Sequence, residues 1–198
     1  MGSSVYIASV EGSTGKSTVA LGVLQQLSRR VERVAVFRPI VRPDTATYGG
    51  RDYVLDLLTA HEAVQSAYGE SLGVTYDEVH ADPDAALDAI VQRYHEVADR
   101  ADAVLVVGSD YTDVGTPTEF FFNAKIAANL GTPVVLVLNG FQRSPHEVRM
   151  IADLAVGELR GNHSSLAAVV ANRVTPLTRS RSWQAPVHRR SPCRRSRS

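Results

Sequence analysis

A glycine-rich segment that contains a lysine is the part of this sequence best suited to chemistry. Residues 10–18 read Val-Glu-Gly-Ser-Thr-Gly-Lys-Ser-Thr, between a short β-branched run and a helical pattern. Small residues let backbone amides point at one anion, and a helix N-terminus adds partial positive charge. Lys16 would reach the β- and γ-phosphates of a nucleotide, and the Ser17 hydroxyl would ligate Mg²⁺. The segment predicts a phosphate-binding loop, although Val10 replaces the first glycine of G-x-x-x-x-G-K-[ST]. The alternative is a glycine-rich turn with a solvated lysine.

Short apolar runs alternate with longer amphipathic segments around this loop. The runs that predict strands are residues 5–9, 33–37, 103–107, 133–138 and 166–171. The segments with helical spacing are residues 16–30, 51–66, 84–100, 117–130 and 145–161. Fully apolar strands separated by helices indicate a parallel sheet that is covered on both faces. We therefore predict a three-layer, doubly wound, mostly parallel α/β domain of P-loop type over residues 1–174.

The composition of the chain argues against a membrane protein and against a disulfide-rich secreted protein. The 198 residues are 44% hydrophobic and 21% charged, which suits one globular domain. No apolar run reaches the roughly 18 residues of a membrane helix, and we expect no membrane partner. The single cysteine, Cys193, excludes a disulfide framework, and we expect a cytoplasmic location.

The charge is divided unevenly along the chain. The whole sequence has 21 basic and 21 acidic residues, but residues 175–198 hold seven arginines and no acid. Residues 1–174 therefore hold 14 basic and 21 acidic residues, a net charge of −7, which argues against nucleic acid as the main partner. The tail has almost no aliphatic residues and is predicted to be disordered. Its composition is also typical of a frameshift after about residue 174, or of a basic arm for nucleic acid or acidic lipid.

Several motifs together resemble the N-terminal domain of the long form of phosphate acetyltransferase. They lie at residues 6–22, 37–40, 73–84, 108–113, 122–131 and 171–174. The resemblance implies a domain similar to dethiobiotin synthetase, an ATP-dependent P-loop enzyme, and associated with regulation and oligomer assembly. It also implies that acetyl transfer, in which acetyl-CoA and phosphate give acetyl phosphate and CoA, belongs to a separate C-terminal domain. We therefore expect a nucleotide-binding regulatory domain that is inactive by itself, whose partner is an acetyltransferase domain in a homo-oligomer.

The resemblance to dethiobiotin synthetase also implies a nucleotide site. The residues implied for the nucleotide are Gly12, Ser13, Thr14, Gly15, Lys16, Ser17, Thr18, Arg38 and Asn172. Those implied for Mg²⁺ are Ser17, Asp52 and Asp110.

Structural alternatives stay open for three of these residues. Arg38 follows the second predicted strand, where it would keep a positive charge beside the phosphates or form a surface ion pair. Asp52 suits a metal ligand or an ordinary acid at a helix start. Asn172 stands where adenine would pack, or serves a turn.

One position departs from the related enzymes. Gly108 stands where they have a glutamate, and this change favours binding over turnover. Two other functions remain as alternatives: an ATP-dependent ligase of dethiobiotin synthetase type, and an assembly module whose loop binds nothing.

Overall fold

The computed structural model describes residues 3–42, 49–109 and 119–174, and these parts contain one six-stranded sheet. The strands are β1 (Ser3–Ser9), β2 (Val34–Val41), β3 (Leu72–Thr75), β4 (Ala103–Val107), β5 (Val134–Asn139) and β6 (Leu166–Asn172). Their order is β3-β2-β4-β1-β5-β6, and every neighbouring pair is parallel. Because all the strands run the same way, the segments that follow them lie at one edge of the sheet.

Helices cover both faces of this sheet. They are α1 (Lys16–Leu27), α2 (Tyr53–Thr59), α3 (Tyr76–Ala81), α4 (Pro83–Ala98), α5 (Glu119–Asn129) and α6 (Pro145–Gly161), with a 3-10 helix over Tyr68–Ser71. Apolar side chains of α1 and α2 pack in one buried cluster, and those of α4, α5 and α6 pack in another. In β1, Ile7 belongs to the first cluster, and Tyr6 and Ala8 belong to the second. This alternation is expected of a pleated strand that is buried on both faces.

Local sequence signals determine where the helices begin. Asp82 caps α4 by accepting hydrogen bonds from two backbone N–H groups, and Pro83 occupies its first turn. Ser144 and Glu147 form a reciprocal capping box at the start of α6. In contrast, α1 follows a left-handed Gly15 that has no side-chain cap, and its first turn contains no acid. Its first amides therefore need a partner other than a capping side chain.

The predicted three-layer parallel fold is confirmed, with several local differences. The second strand does not end before Arg38 as predicted but continues to Val41, and α3 is an additional helix. The sequence pattern does not predict β3, because four residues at the sheet edge are too few to show a clear alternation of apolar and polar side chains. The helix predicted over residues 51–66 is too long, since α2 ends at Thr59 and Val64 then forms an isolated bridge with Val34 of β2. No helix within the described ranges is both long and apolar enough to cross a membrane. The expected disordered tail, 175–198, lies outside the described residues.

Candidate functional site

The glycine-rich loop connects β1 to α1 at the carboxyl edge of the sheet. Ser13 and Gly15 have positive φ angles of 58° and 77°, with Thr14 between them. Left-handed residues in such a turn allow successive backbone N–H groups to converge on an anion. At Gly15 a side chain is also excluded, because a Cβ atom would overlap the amide of Asn172. The loop thus has the backbone geometry that the sequence pattern predicts.

Polar side chains are buried in and beside this loop. Lys16 is 3% exposed and Thr14 is 1% exposed. Within the described part of the chain, Thr14 Oγ1 and Ser9 Oγ are buried and lack a hydrogen-bond partner. A buried hydroxyl that makes no hydrogen bond costs about 1–3 kcal/mol. A bound anion or an ordered water would therefore find unsatisfied polar atoms here.

The last residue of β6 and the residue after it hold the backbone of the loop. Asn172 Nδ2 donates to the Thr14 carbonyl at 2.9 Å, and Arg173 Nη1 donates to the Ser13 carbonyl at 2.7 Å. Both acceptors are carbonyl groups, so these bonds leave the backbone N–H groups of the loop available to a ligand. Asn172 therefore belongs to the loop site, and its side-chain amide supports the loop itself.

An ion pair connects the loop to the segment after β5. Arg143 Nη2 donates to Glu11 Oε2 at 2.8 Å, and Arg143 Nη1 contacts Glu11 Oε1. Arg143 Nη1 also donates to the Asn139 carbonyl at 3.1 Å. The hydrogen bonds with Glu11 raise the pKa of Arg143. Because the pairing is bidentate, it restrains the direction as well as the position of the loop.

Arg38 and Asp52 form a buried pair at the same edge of the sheet. Arg38 is 1% exposed and Asp52 is 4% exposed. Arg38 Nε donates to Asp52 Oδ2 at 3.2 Å, and Arg38 Nη1 donates to the carbonyls of Val107 and Gly108 at 3.1 and 2.6 Å. Asp52 is also the N-cap of α2, where Oδ1 accepts a hydrogen bond from the Leu55 N–H at 2.9 Å. The pair thus ties β2 and the end of β4 to the start of α2.

A polar network packs directly against Gly108. The Tyr6 hydroxyl donates to Asn123 Oδ1 at 2.6 Å, and Asn123 Nδ2 donates to the carbonyls of Glu119 and Ser109 at 2.8 and 3.3 Å. Burial raises the pKa of the Tyr6 hydroxyl far above its ordinary value, against an opposing effect of Arg38. A Cβ atom on Gly108 would lie 2.7 Å from Tyr6 Cε1 and closer still to Asn123 Oδ1. The network therefore occupies the space that a side chain at position 108 would need.

The structure divides the predicted site residues into two groups. The loop residues and Asn172 are brought together at the start of α1. Arg38, inside β2, and Asp52 are brought together as a pair beside the end of β4. Asp110 lies outside the described residues. The roles assigned to these residues in binding stay predictions.

Several residues of the site are not predicted from the sequence. They are Tyr6, Glu11, Asn123, Arg143 and Arg173. Glu11 is a charged residue inside a glycine-rich loop, and this alone could have indicated that a basic residue elsewhere in the chain pairs with it. The Asn-Arg pair after the last predicted strand was a similar signal for Arg173.

Comparison with protein families places this site in a known context. A family model described as an AAA domain matches residues 3–191, which is most of the chain. The match extends past residue 174, so the boundary expected there stays a prediction.

Curated relatives with this sequence pattern include two phosphate acetyltransferases. The chain is 34% identical to that of Nitratidesulfovibrio vulgaris over 88% of its own length, and 31% identical to that of Synechocystis over 89%. It spans only about a quarter of each of these relatives, 25% and 26% of their lengths. The similarity is to their N-terminal region. A cobyrinate a,c-diamide synthase of Streptococcus sanguinis is 27% identical over 87% of the chain and 34% of that relative.

Solved structures with a similar fold include a kinase domain and a putative plasmid partition protein. The BceF tyrosine kinase domain has a TM-score of 0.54 at 20% identity, and covers 87% of this chain and 69% of its own. A putative plasmid partition protein from Borrelia burgdorferi, bound to AMPPNP, has a TM-score of 0.54 at 14% identity, with 90% and 80% covered. At such identities the likeness shows the fold alone, which is P-loop NTPase-like.

Proposed function

The chain belongs to the AAA domain family, and on this basis we propose that its glycine-rich loop binds the phosphates of a nucleotide. The observation that carries the proposal is the left-handed loop at the uncapped start of α1, with Lys16 buried in its first turn. Backbone amides and a helix N-terminus favour an anion, and a lysine adds a charge-assisted contact. The ligands we propose are ATP and ADP. A Mg²⁺ ion that accompanies the nucleotide would meet the Ser17 hydroxyl, although the binding proposed here is that of the phosphates to the loop.

At the level of the whole protein, we propose that this domain regulates an acetyltransferase domain of the phosphate acetyltransferase type. The support is its similarity to the N-terminal quarter of two such enzymes. In this proposal the acetyltransferase domain converts acetyl-CoA and phosphate to acetyl phosphate and CoA, and the present domain responds to nucleotide. The assembly proposed is a cytoplasmic homo-oligomer, without nucleic acid or membrane as a partner.

A ligase that couples ATP to amide or carboxylate chemistry is the second candidate. The similarity to cobyrinate a,c-diamide synthases favours it. The packing of Tyr6 and Asn123 against Gly108 disfavours it, because an acidic side chain that would help to hold a metal cannot be placed there. Release of ADP from ATP by the purified chain would support this candidate over a binding domain.

The phosphate-loop proposal is tested by replacing Lys16. Removal of a charge-assisted contact costs about 1.5–3 kcal/mol, so Lys16→Ala should weaken ATP and ADP binding by roughly tenfold to a hundredfold. Isothermal titration calorimetry with ATP, ADP and inorganic phosphate measures this loss. The matched control is Lys125→Ala, because Lys125 lies on α5 and forms an exposed ion pair with Asp84 at 2.9 Å.

Two results would contradict the proposal. If the unsubstituted chain binds none of the three ligands at millimolar concentration, the loop has no phosphate-binding role and the assembly-module alternative is favoured. If Lys16→Ala and Lys125→Ala weaken binding equally, the ligand is held by general charge and not by this loop.

A further inference from the structure

Arg38 places a permanent positive charge at the edge of the sheet that carries the loop. Its guanidinium donates to Asp52 Oδ2 at 3.2 Å and to the Val107 and Gly108 carbonyls at 3.1 and 2.6 Å. The side chain is 1% exposed, so this charge lies in a region with little water to screen it. An arginine keeps its charge at all physiological pH values. The Arg38 guanidinium is therefore a fixed positive charge at this edge of the sheet.

The carboxylate of Asp52 is engaged on both oxygens. Oδ1 accepts the Leu55 N–H at 2.9 Å and caps α2, while Oδ2 accepts from Arg38. A metal ion at Asp52 would have to compete with the guanidinium, and its approach would place two cations on one buried acid. Asp52 is thus poorly suited to hold Mg²⁺ in the presence of Arg38.

The remaining described residues offer no replacement ligand set. Across residues 3–42, 49–109 and 119–174 there is no group of three or more His, Cys, Asp or Glu side chains that could hold a metal ion. The end of β4 cannot supply an acid at Gly108, because Tyr6 and Asn123 fill that space. Protein-bound Mg²⁺ normally uses one or two carboxylates together with the phosphates of the nucleotide. Neither Asp52, which Arg38 and the Leu55 N–H occupy, nor position 108 therefore offers a carboxylate to this ion.

We propose that the Arg38 guanidinium takes the place of a metal ion beside Asp52, and that the loop binds nucleotide phosphates without requiring Mg²⁺. This inference rests on the proposed nucleotide binding and names the form of the ligand, a nucleotide that binds equally well with and without Mg²⁺. Arg38 and Asp52 together carry no net charge, so the site needs no divalent ion to neutralise its own carboxylate. The positive charge that faces the phosphates then comes from Lys16 and the start of α1.

The first test compares ATP binding by the unsubstituted chain in EDTA and in excess Mg²⁺. We expect the two dissociation constants to agree within about threefold, because Arg38 occupies Asp52 and position 108 carries no acid. Isothermal titration calorimetry gives both constants without any need for turnover. Binding that is tenfold or more stronger with Mg²⁺ would overturn the inference and leave the phosphate loop intact. A chain that binds ATP in neither condition would overturn the proposed function, and this inference with it.

The second test releases Asp52 from its partner. Arg38→Gln should make ATP binding depend on Mg²⁺ by about tenfold, since the freed carboxylate becomes a possible metal ligand. The matched control is Arg33→Gln, because Arg33 forms an ion pair with Asp102 at 2.6 Å. These two residues immediately precede β2 and β4, at the edge of the sheet opposite the loop. The control should keep the metal independence of the unsubstituted chain. Equal metal dependence in Arg38→Gln and Arg33→Gln would contradict the role of Arg38.

A double variant without buried charges provides a test if Arg38→Gln alone fails to fold. Arg38→Gln combined with Asp52→Asn removes both buried charges, and asparagine retains the capping ability of position 52. This variant should bind ATP with constants that agree within about threefold in EDTA and in Mg²⁺. Stimulation of the double variant by Mg²⁺ would show that other residues hold the metal, and would count against the inference.

Discussion

At the end of β4, the lack of a side chain at Gly108 has a local physical cause. Tyr6 reaches across from β1 and donates to Asn123 of α5, and this hydrogen bond passes where a Cβ atom would lie. The buried Tyr6 hydroxyl needs this acceptor, because leaving it unsatisfied would cost free energy. Glycine at this position therefore allows the polar network to pack, in addition to lacking the carboxylate of the related enzymes. From the sequence alone, Gly108 shows only the missing glutamate, since Tyr6 and Asn123 are 117 residues apart.

We expect Gly108→Ala to destabilise the protein by about 1–3 kcal/mol, because an added methyl group must displace Tyr6 or Asn123 in a closely packed region. Equilibrium unfolding in urea measures this change. Gly22→Ala is the matched control, because Gly22 lies inside α1 and a Cβ atom there meets no neighbour within 4 Å. That control should stabilise the chain by about 0.5–1 kcal/mol. Equal midpoints for Gly108→Ala and the unsubstituted chain would show that the network yields without cost.

Among the elements, β5 and β6 determine the shape of a loop that neither of them contains. The segment after β5 supplies Arg143 for Glu11, and the end of β6 supplies Asn172 for the Thr14 carbonyl. The sequence predicts both strands and the loop, because their patterns are local. It does not predict these contacts, which join residues 132 and 158 positions apart. The identity of Asn172 as a site residue could be expected, but its hydrogen bond to the loop could not.

Asn172→Ala distinguishes support of the loop from contact with a base. If Asn172 acts by holding the Thr14 carbonyl, its loss should weaken the binding of inorganic pyrophosphate and of ATP to a similar degree. We expect a loss of about 0.5–1.5 kcal/mol for each ligand, the usual net value of one hydrogen bond. Calorimetry with the two ligands provides the comparison. A loss confined to ATP would instead support the adenine contact that the resemblance implies.

Over the whole molecule, the hydrophobic pattern predicts the sheet far better than it predicts the polar edge. Strands such as β4 are buried along their full length, so an apolar run suffices to identify them. The sheet edge at β3 is less predictable, because its four residues are stabilised by pairing with β2 and not by their own pattern. The buried pair of Arg38 and Asp52 is a tertiary feature of the same kind. Each residue is recognisable as a candidate, and only the fold shows that they bind each other.

The stability of the whole chain should fall as the solution becomes acidic. Hydrogen bonds from Ser144 and Thr75 lower the pKa values of Glu147 and Glu78, and hydrogen bonds from arginines lower those of Asp56 and Asp102. An acid whose pKa is lower in the folded state stabilises that state above its unfolded pKa, near 4 for these groups. The contribution is lost as the pH falls through the folded value, so acid should unfold the protein and mild base should not.

Glu147→Gln isolates one of these contributions, because glutamine can still form the capping box but carries no charge. At about pH 7 the variant should unfold at a lower urea concentration than the unsubstituted chain, and the two midpoints should converge as the pH falls through the lowered folded pKa of Glu147. The convergence follows because Glu147 of the unsubstituted chain is then protonated and has lost the same charge. Urea unfolding followed by circular dichroism across this range measures the gap. A gap that stays constant or widens toward low pH would show that Glu147 does not stabilise the folded chain through its ionised form.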